Sequence, residues 1–147
     1  MAEKHERIMG IDVGEARVGV ALSDPLGLTV RPLEPVTGEG RKVKIEKITK
    51  LVEKHSPDVI AIGFPLNMNG TKGPAARSVE KFMYYLKKVV TVPVIPIDER
   101  LTSWEAGEIM DNSGILKGDR KQKVDGIAAV LIVQKYLERR KTDESIS

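Results

Sequence analysis

Carboxylates stand at three places in the sequence where an apolar stretch ends or is interrupted. Asp12 closes the first apolar run, and Asp98 and Glu99 close a later one. Asp125 falls on the apolar stripe of the last predicted helix. An inward carboxylate is costly unless it is paired or bound to a metal. Two Mg²⁺ ions about 4 Å apart, held by carboxylates, can stabilise both the attacking and the leaving oxygen of a phosphodiester displacement. The residue types therefore point to metal-assisted chemistry on phosphate.

Periodicity predicts which of these side chains face one another. Along a strand the side chains alternate, so Glu99 shares a face with Ile97 while Asp98 points the other way. Whether Asp98 contributes to the same site stays open. In the last helix, Asp125 precedes Ala128, Ala129 and Ile132 by three, four and seven positions, which places it on the stripe that packs against the sheet.

Each carboxylate taken alone also has an ordinary structural explanation. Asp-x-Gly is common where a strand meets a tight turn, so Asp12 can be a turn residue. Asp125 can simply favour a position near a helix N-terminus. Glu99 can form a surface ion pair with Arg100. The convergence of all three on one predicted edge of the sheet favours a shared site over three separate explanations.

Composition narrows the classes of function. The 147 residues suit one domain, 1–147, and 41% of them are hydrophobic. The chain has no cysteine and two histidines, which argues against disulfides, thiolate catalysis and the common zinc sites. Any metal should therefore have oxygen ligands. We find no apolar run of about 20 residues and no apolar signal segment near the N-terminus, so we expect a cytoplasmic protein without a membrane span.

Hydrophobic patterning predicts the element order βββαβαβαα. Strands are predicted at 8–13, 17–22, 28–36, 59–64 and 93–97. Helices are predicted from 41, over 75–90 and 102–112, and from about 119 to 140, with a frayed tail at 141–147. Three antiparallel strands followed by right-handed βαβ crossovers give an α/β fold with a mixed five-stranded sheet and helices on both faces. Ligands of such sheets gather at the carboxyl ends of the parallel strands.

Four motifs in order along nearly the whole chain resemble the YqgF/RuvX family. The first runs from Ile11-Asp12-Val13-Gly14 through Arg17 to Asp24, and the second is Gly63-Phe64-Pro65-Leu66-Asn67-Met68-Asn69-Gly70-Thr71. The third is Asp98-Glu99-Arg100-Leu101-Thr102-Ser103, and the fourth is Val124-Asp125 followed by Ala128-Ala129. The chain departs from the expected pattern at Gly126, where a better helix former is expected.

The resemblance implies a fold, an activity and a set of ligands. The family has a ribonuclease H-like fold and is similar to endonucleases that trim the 5′ end of precursor 16S ribosomal RNA. Its members were earlier described as Holliday junction resolvases, which keeps branched DNA as the alternative substrate. Carried over by motif, Asp12, Glu99 and Asp125 are the catalytic residues and the ligands of Mg²⁺ or Mn²⁺.

Basic and amide side chains near the predicted site are candidates for nucleic-acid contacts. Asn67, Lys72 and Arg77 belong to a loop after a central strand, where backbone amides and cations can contact phosphate. The remaining candidates are Arg17 in the first hairpin, Arg100 beside Glu99, and Lys121 and Lys123 just before Asp125. A plain surface loop and a solvated helix face are the alternative explanations.

Other functions remain to be weighed. Sugar kinases and actin-like ATPases share the Asp-x-Gly hairpin, but they clamp a nucleotide between two such domains and this chain has room for one. A catalytically silent nucleic-acid-binding module would not need three inward carboxylates. A junction resolvase should form a symmetric dimer, so the choice between monomer and homodimer bears on the substrate. Association with the ribosome stays open.

Overall fold

The computed structural model describes residues 6–27, 29–98 and 120–146, and within the last range it describes the side chains of 126–140. Five strands form one sheet in the order β3-β2-β1-β4-β5. They are β1 (Ile8–Val13), β2 (Val18–Ser23), β3 (Val30–Pro32), β4 (Val59–Phe64) and β5 (Val94–Asp98). β2 pairs antiparallel with β1 and β3, whereas β4 pairs parallel with β1 and β5. The predicted mixed five-stranded sheet is confirmed.

The predicted third strand is too long. β3 covers Val30–Pro32, and Val36 then forms an isolated bridge with Val18. Pro32 and Pro35 have no N–H group to donate, so a continuous ladder over 28–36 is interrupted between these points. The segment keeps the edge position that its prolines favour.

Within the described ranges, three helices cover the two faces of the sheet. α1 (Gly40–His55) and α2 (Pro74–Val89) pack on one face, and α3 (Arg120–Ile146) packs on the other. The predicted helix 102–112 lies outside the described residues. The prediction of a frayed tail is wrong, because α3 continues to Ile146. Its last turns are rich in lysine, arginine and glutamate, which are good helix formers.

Small residues let α3 approach the sheet closely. A Cβ at Gly10 would lie 2.5 Å from Val133 Cγ2 and 2.6 Å from the carbonyl oxygen of Ala129. Gly126 is buried in α3, and a Cβ there would lie 3.1 Å from Pro32 Cβ. The departure at Gly126 therefore has a packing reason, and the helix continues through it. Across the described residues, every helix falls short of the length and apolarity that a bilayer crossing demands.

Candidate active site at the carboxyl edge of the sheet

Asp12 lies near the carboxyl end of β1 and is half-buried. Met9 and Ile11 belong to the core under α1 and α2, whereas Ile8 belongs to the core under α3. Because side chains alternate along a strand, Asp12 belongs to the face that α3 covers. β1 lies between β2 and β4, with Asp12 opposite Gly19 of β2. The carboxylate is thus carried by a central strand.

The turn after Asp12 brings a cation to the same face. The Gly14 N–H donates to the Arg17 carbonyl at 3.0 Å, and a Cβ on Gly14 would lie 2.7 Å from that oxygen. Alternation from Gly19 places Arg17 on the face of Asp12, as a diagonal neighbour across the two strands. Arg17 is half-buried, and its Nε atom is buried. A guanidinium keeps its charge when buried, so Arg17 brings a fixed positive charge to the end of the hairpin that carries Asp12.

The contact between α3 and Gly10 lies near both Asp12 and position 125. Ala128, Ala129 and Ile132 are fully buried, and position 125 falls on the same helical stripe. It precedes Ala129 by one turn, about 6 Å along the helix. Asp12 follows Gly10 by two residues, about 7 Å along the strand. Both positions therefore lie within about one helical turn of the contact between Gly10 and α3.

The second predicted ligand follows the end of β5. Ile95 and Ile97 pack in the core under α3, while Val94 belongs to the opposite core, so the predicted alternation holds along β5. Asp98 is exposed, and its carbonyl accepts a hydrogen bond from Lys135 Nζ at 3.3 Å. Glu99 itself lies outside the described residues.

Several predicted site residues lie outside the part of the chain that the structure describes. Arg100 is outside the described residues, as are the side chains of Lys121, Lys123 and Asp125. Among the side chains that are described, no three histidine, cysteine, aspartate or glutamate residues stand close enough together to hold a metal. Asp12 is the proposed metal ligand whose side chain is described.

The loop after β4 is held by its own polar groups. The Asn67 N–H donates to the Thr71 carbonyl at 2.9 Å, and the Asn67 side-chain amide donates to Thr71 Oγ1 at 3.0 Å. Asn69 Oδ1 accepts from both the N–H and the hydroxyl of Thr71. Gly70 has a φ of 85°, which favours glycine. Internal hydrogen bonds thus fix the conformation of the loop, which starts at the sheet edge that carries Asp12.

The two cations predicted beside this loop have different surroundings. Lys72 Nζ forms a half-exposed ion pair with Glu80 Oε2 at 2.6 Å. Arg77 lies exposed in the first turns of α2. A phosphate that contacts Lys72 must compete with Glu80, whereas Arg77 is exposed on the helix surface.

Sequence reasoning missed two features near the site. One is Gly10, whose missing side chain sets the separation of α3 and β1; a glycine inside an apolar strand is the signal for such a close approach. The other is a cleft of about 290 Å³ on the opposite face, where Gly14 and Glu15 meet Arg41 and Lys44 of α1. Two basic residues at the start of an amphipathic helix were the available signal.

Known proteins resemble this chain over most of its length. A family model described as "RuvX: Holliday junction resolvase" matches residues 6–139. A protein of Clostridium kluyveri is 40% identical over 133 residues, which cover 90% of this chain and 97% of that protein. A protein of Thermoanaerobacter pseudethanolicus is 39% identical over 136 residues, covering 92% and 98%. Both carry the name "Putative pre-16S rRNA nuclease".

Solved structures share the architecture at low sequence identity. Thermus thermophilus RuvC, in a complex with a Holliday junction, matches with a TM-score of 0.56 and 18% identity, covering 92% of this chain and 96% of that one. The fowlpox virus Holliday junction resolvase matches with a TM-score of 0.53 and 15% identity, covering 90% and 99%. These likenesses show the ribonuclease H-like fold that the motifs predict. With the family model spanning residues 6–139 and relatives about 40% identical over nine-tenths of the chain, this protein belongs to the RuvX family.

Proposed function

We propose that this protein is a metal-dependent endonuclease that processes the 5′ end of precursor 16S ribosomal RNA during ribosome biogenesis. The observation that carries the proposal is the placement of Asp12, half-buried near the carboxyl end of a central strand and on the face that α3 covers. Relatives about 40% identical that are named as nucleases of pre-16S rRNA support the reaction and the substrate.

The donor set suits a hard divalent cation. Asp12, Glu99 and Asp125 offer oxygen ligands alone, and the chain has no cysteine to favour a softer metal. Asp12 is half-buried, so its charge is incompletely hydrated and gains from a nearby cation. We assign Mg²⁺ or Mn²⁺ to these three residues. When bound, such an ion favours deprotonation of the attacking water and offsets charge on the leaving oxygen.

The fold supplies rigidity to the site. Asp12 belongs to a strand paired on both sides, and the Gly14 N–H closes the turn that follows. Ligands carried on strands hold their geometry better than ligands carried on loops. Arg17 adds a charge that can balance the carboxylates or bind a phosphate oxygen.

Contacts to nucleic acid are proposed along the same edge. Exposed Arg77 and the amide of Asn67 contact phosphate or sugar oxygens beside the site, and Arg100, Lys121 and Lys123 extend the contacts towards α3. Lys72 joins them by leaving Glu80. An exposed ion pair contributes only about 0–1 kcal/mol, so a phosphate can replace the carboxylate.

The test measures cleavage of two substrates in parallel. One is single-stranded precursor ribosomal RNA that carries the unprocessed 5′ end, and the other is a four-way DNA junction. Each is incubated with Mg²⁺ or Mn²⁺, and with a chelator. Asp12→Asn removes the proposed ligand charge, while Glu53→Gln makes the same kind of change on the exposed face of α1. We expect RNA cleavage that needs the metal, is lost in Asp12→Asn and is retained in Glu53→Gln.

Further variants test the assigned ligands. Glu99→Gln and Asp125→Asn should each abolish cleavage while circular dichroism shows a folded protein. Full activity in any two of the three ligand variants would overturn the assignment.

A non-catalytic binding module is the other outcome. It would be favoured if neither substrate is cleaved and if RNA binding needs no metal and is unchanged in Asp12→Asn. We also propose a cytoplasmic protein that meets its substrate on precursor ribosomal particles, which co-sedimentation would test.

Junction resolution is the second candidate, because the matching family model is described as a Holliday junction resolvase. A resolvase must present two sites to two strands, so it should be a symmetric dimer. Selective cleavage of the four-way junction by a dimeric protein would establish this alternative. A monomer in sedimentation experiments that cleaves only RNA would exclude it.

A further inference from the structure

Two neighbouring tyrosines are exposed on the face of α2 that turns away from the core. Tyr84 is 57% exposed and Tyr85 is 38% exposed. Their rings form an edge-to-face pair with centroids 5.2 Å apart. The apolar stripe of α2 runs through Phe82, Met83 and Leu86, so both tyrosines lie outside it. Two adjacent exposed rings form a continuous aromatic surface, which makes this face of α2 a candidate site for a binding partner.

A cation lies over the face of each ring. Arg41 Cζ of α1 lies 4.3 Å from the centroid of Tyr85, and Lys88 Nζ of α2 lies 4.4 Å from the centroid of Tyr84. We call these four residues, Tyr84, Tyr85, Arg41 and Lys88, the tyrosine patch. It combines aromatic faces with exposed positive charges on one surface.

Two shallow hollows flank the tyrosine patch. The hollow beside Tyr85, of about 430 Å³, is lined also by Lys42 and Val89. The hollow beside Tyr84, of about 490 Å³, is lined also by Lys87 and Phe64. Phe64 ends β4 and pairs in register with Asp98, so this second hollow opens onto the sheet edge that carries the proposed active site. The patch is thus continuous with that edge.

Charge around the patch favours an anionic partner. Among the described residues, five cations line the two hollows: Arg41, Lys42, Lys72, Lys87 and Lys88. The two carboxylates in the same set are Glu46 and Glu80, and Glu80 is already paired with Lys72. Aromatic faces together with excess positive charge are the combination that binds single-stranded nucleic acid.

We propose that the tyrosine patch binds the single-stranded RNA segment flanking the bond that is cut at Asp12; this rests on the proposed nuclease function. Unpaired bases stack on Tyr84 and Tyr85. Arg41 and Lys88 leave the ring faces for the phosphates that the stacked bases bring with them. Duplex RNA keeps its base faces stacked inside the helix and so gains nothing from the rings.

The test is fluorescence anisotropy with a labelled single-stranded RNA of about 20 nucleotides, longer than the roughly 4–16 nucleotides that comparable surfaces bind. A chelator prevents cleavage during the titration. The double variant Tyr84→Ala/Tyr85→Ala should raise the Kd at least about tenfold, because each stacked base contributes appreciably to affinity. Tyr84→Phe/Tyr85→Phe keeps both rings and should bind like the wild type. Leu26→Ala removes a comparably exposed apolar side chain elsewhere and should change nothing.

Salt dependence gives an independent measurement. A plot of log K against log salt has a negative slope, and each phosphate contact that is lost makes this slope shallower by about 0.7 for single strands. Arg41→Gln and Lys88→Gln should each show a reduction of this kind. Lys50→Gln, an exposed lysine of α1 outside both hollows, should keep the wild-type slope.

Defined results would overturn the inference. They are wild-type affinity in the double alanine variant, an equal loss in the double phenylalanine variant, or tighter binding of duplex RNA of the same length. Cleavage assays separate this failure from failure of the nuclease proposal. If the double alanine variant cuts precursor RNA with an unchanged KM, the role of the tyrosine patch is refuted and the nuclease proposal stands. If the protein cuts no substrate but binds RNA through the two rings, the nuclease proposal is refuted and the patch stands as an RNA-binding surface.

Discussion

Gly10→Ala should damage both stability and catalysis, because it pushes α3 away from β1. The new methyl group would lie 2.6 Å from the carbonyl oxygen of Ala129, about 1 Å inside an ordinary contact of about 3.5 Å. This oxygen belongs to the helix backbone, so no side-chain rotation relieves the overlap. The second contact, 2.5 Å to Val133 Cγ2, involves a fully buried and stiff side chain. The helix must therefore move by about 1 Å.

The expected magnitudes follow from that displacement. Overpacking a core costs about 1–3 kcal/mol of unfolding free energy, which lowers the Tm of a chain this long by about 3–10 °C. A displacement of about 1 Å at a catalytic group can cost about 100-fold in rate. Position 125, to which we assign a metal ligand, lies one turn from the disturbed contact, so kcat should fall by about this factor.

Two variants separate a shifted helix from a general loss of stability. Gly27→Ala introduces strain at a φ of 71° with no heavy atom within 4 Å, in the turn at the opposite end of β2. It should cost about 1–2 kcal/mol and leave kcat unchanged. Gly10→Ala/Val133→Ala removes the side-chain overlap but keeps the carbonyl overlap, so its kcat should stay low. Thermal unfolding and single-turnover cleavage of precursor RNA measure the two effects.

Two results would refute this reasoning. Wild-type Tm and wild-type cleavage in Gly10→Ala would mean that α3 is not held closely against β1. A Tm loss like that of Gly27→Ala with unchanged kcat would mean that helix packing and active-site geometry are independent.

Two further predictions concern the end of the molecule opposite the proposed site, around the start of β1. Ser23→Ala removes the buried hydroxyl that accepts the Ile8 N–H at 2.8 Å, so urea unfolding should show a loss of about 1–3 kcal/mol with cleavage unchanged. Burial, followed by the nearby charges of Lys54, Arg7 and Arg31, lowers the pKa of His55. The folded state thus binds its proton less well than the unfolded state, and stability should fall as the pH drops below 6.5. His55→Gln should weaken this dependence in denaturation experiments above and below that pH, and an unchanged dependence would contradict the assignment.

Local patterns predict the elements of this fold well and their edges less well. β1 and β4 match their predicted ranges because each is a short apolar run bounded by polar or turn residues. α1 and α2 begin one residue before their predicted starts. β3 is shorter than predicted because hydrophobicity marks a strand where proline removes the hydrogen-bond donors. Strand pairing adds a constraint that composition alone does not express.

The candidate site was predictable where it depends on alternation and not where it depends on packing. Alternation along β5 was predicted, and the structure shows it: Ile97 packs in the core under α3, whereas Val94 belongs to the opposite core. The close approach at Gly10 depends on how α3 crosses the sheet, which periodicity does not determine. The ion pair of Lys72 with Glu80 likewise joins a loop to a helix, and its sequence spacing matches no regular pattern.

The two faces of the sheet separate the two tasks that we propose. Asp12 belongs to the face under α3, whereas the tyrosine patch lies on helices that cover the other face. The hollow that Tyr84 and Phe64 line offers RNA on the patch a route to Asp12 around the carboxyl edge of the sheet. Binding and chemistry would then depend on different packing contacts, because α3 packs on the face that carries Asp12 and α1 and α2 form the patch. Changes on the patch should alter KM while kcat holds, and changes at Gly10 should do the reverse. A nuclease arranged in this way can vary its recognition of flanking RNA without disturbing the proposed metal ligands.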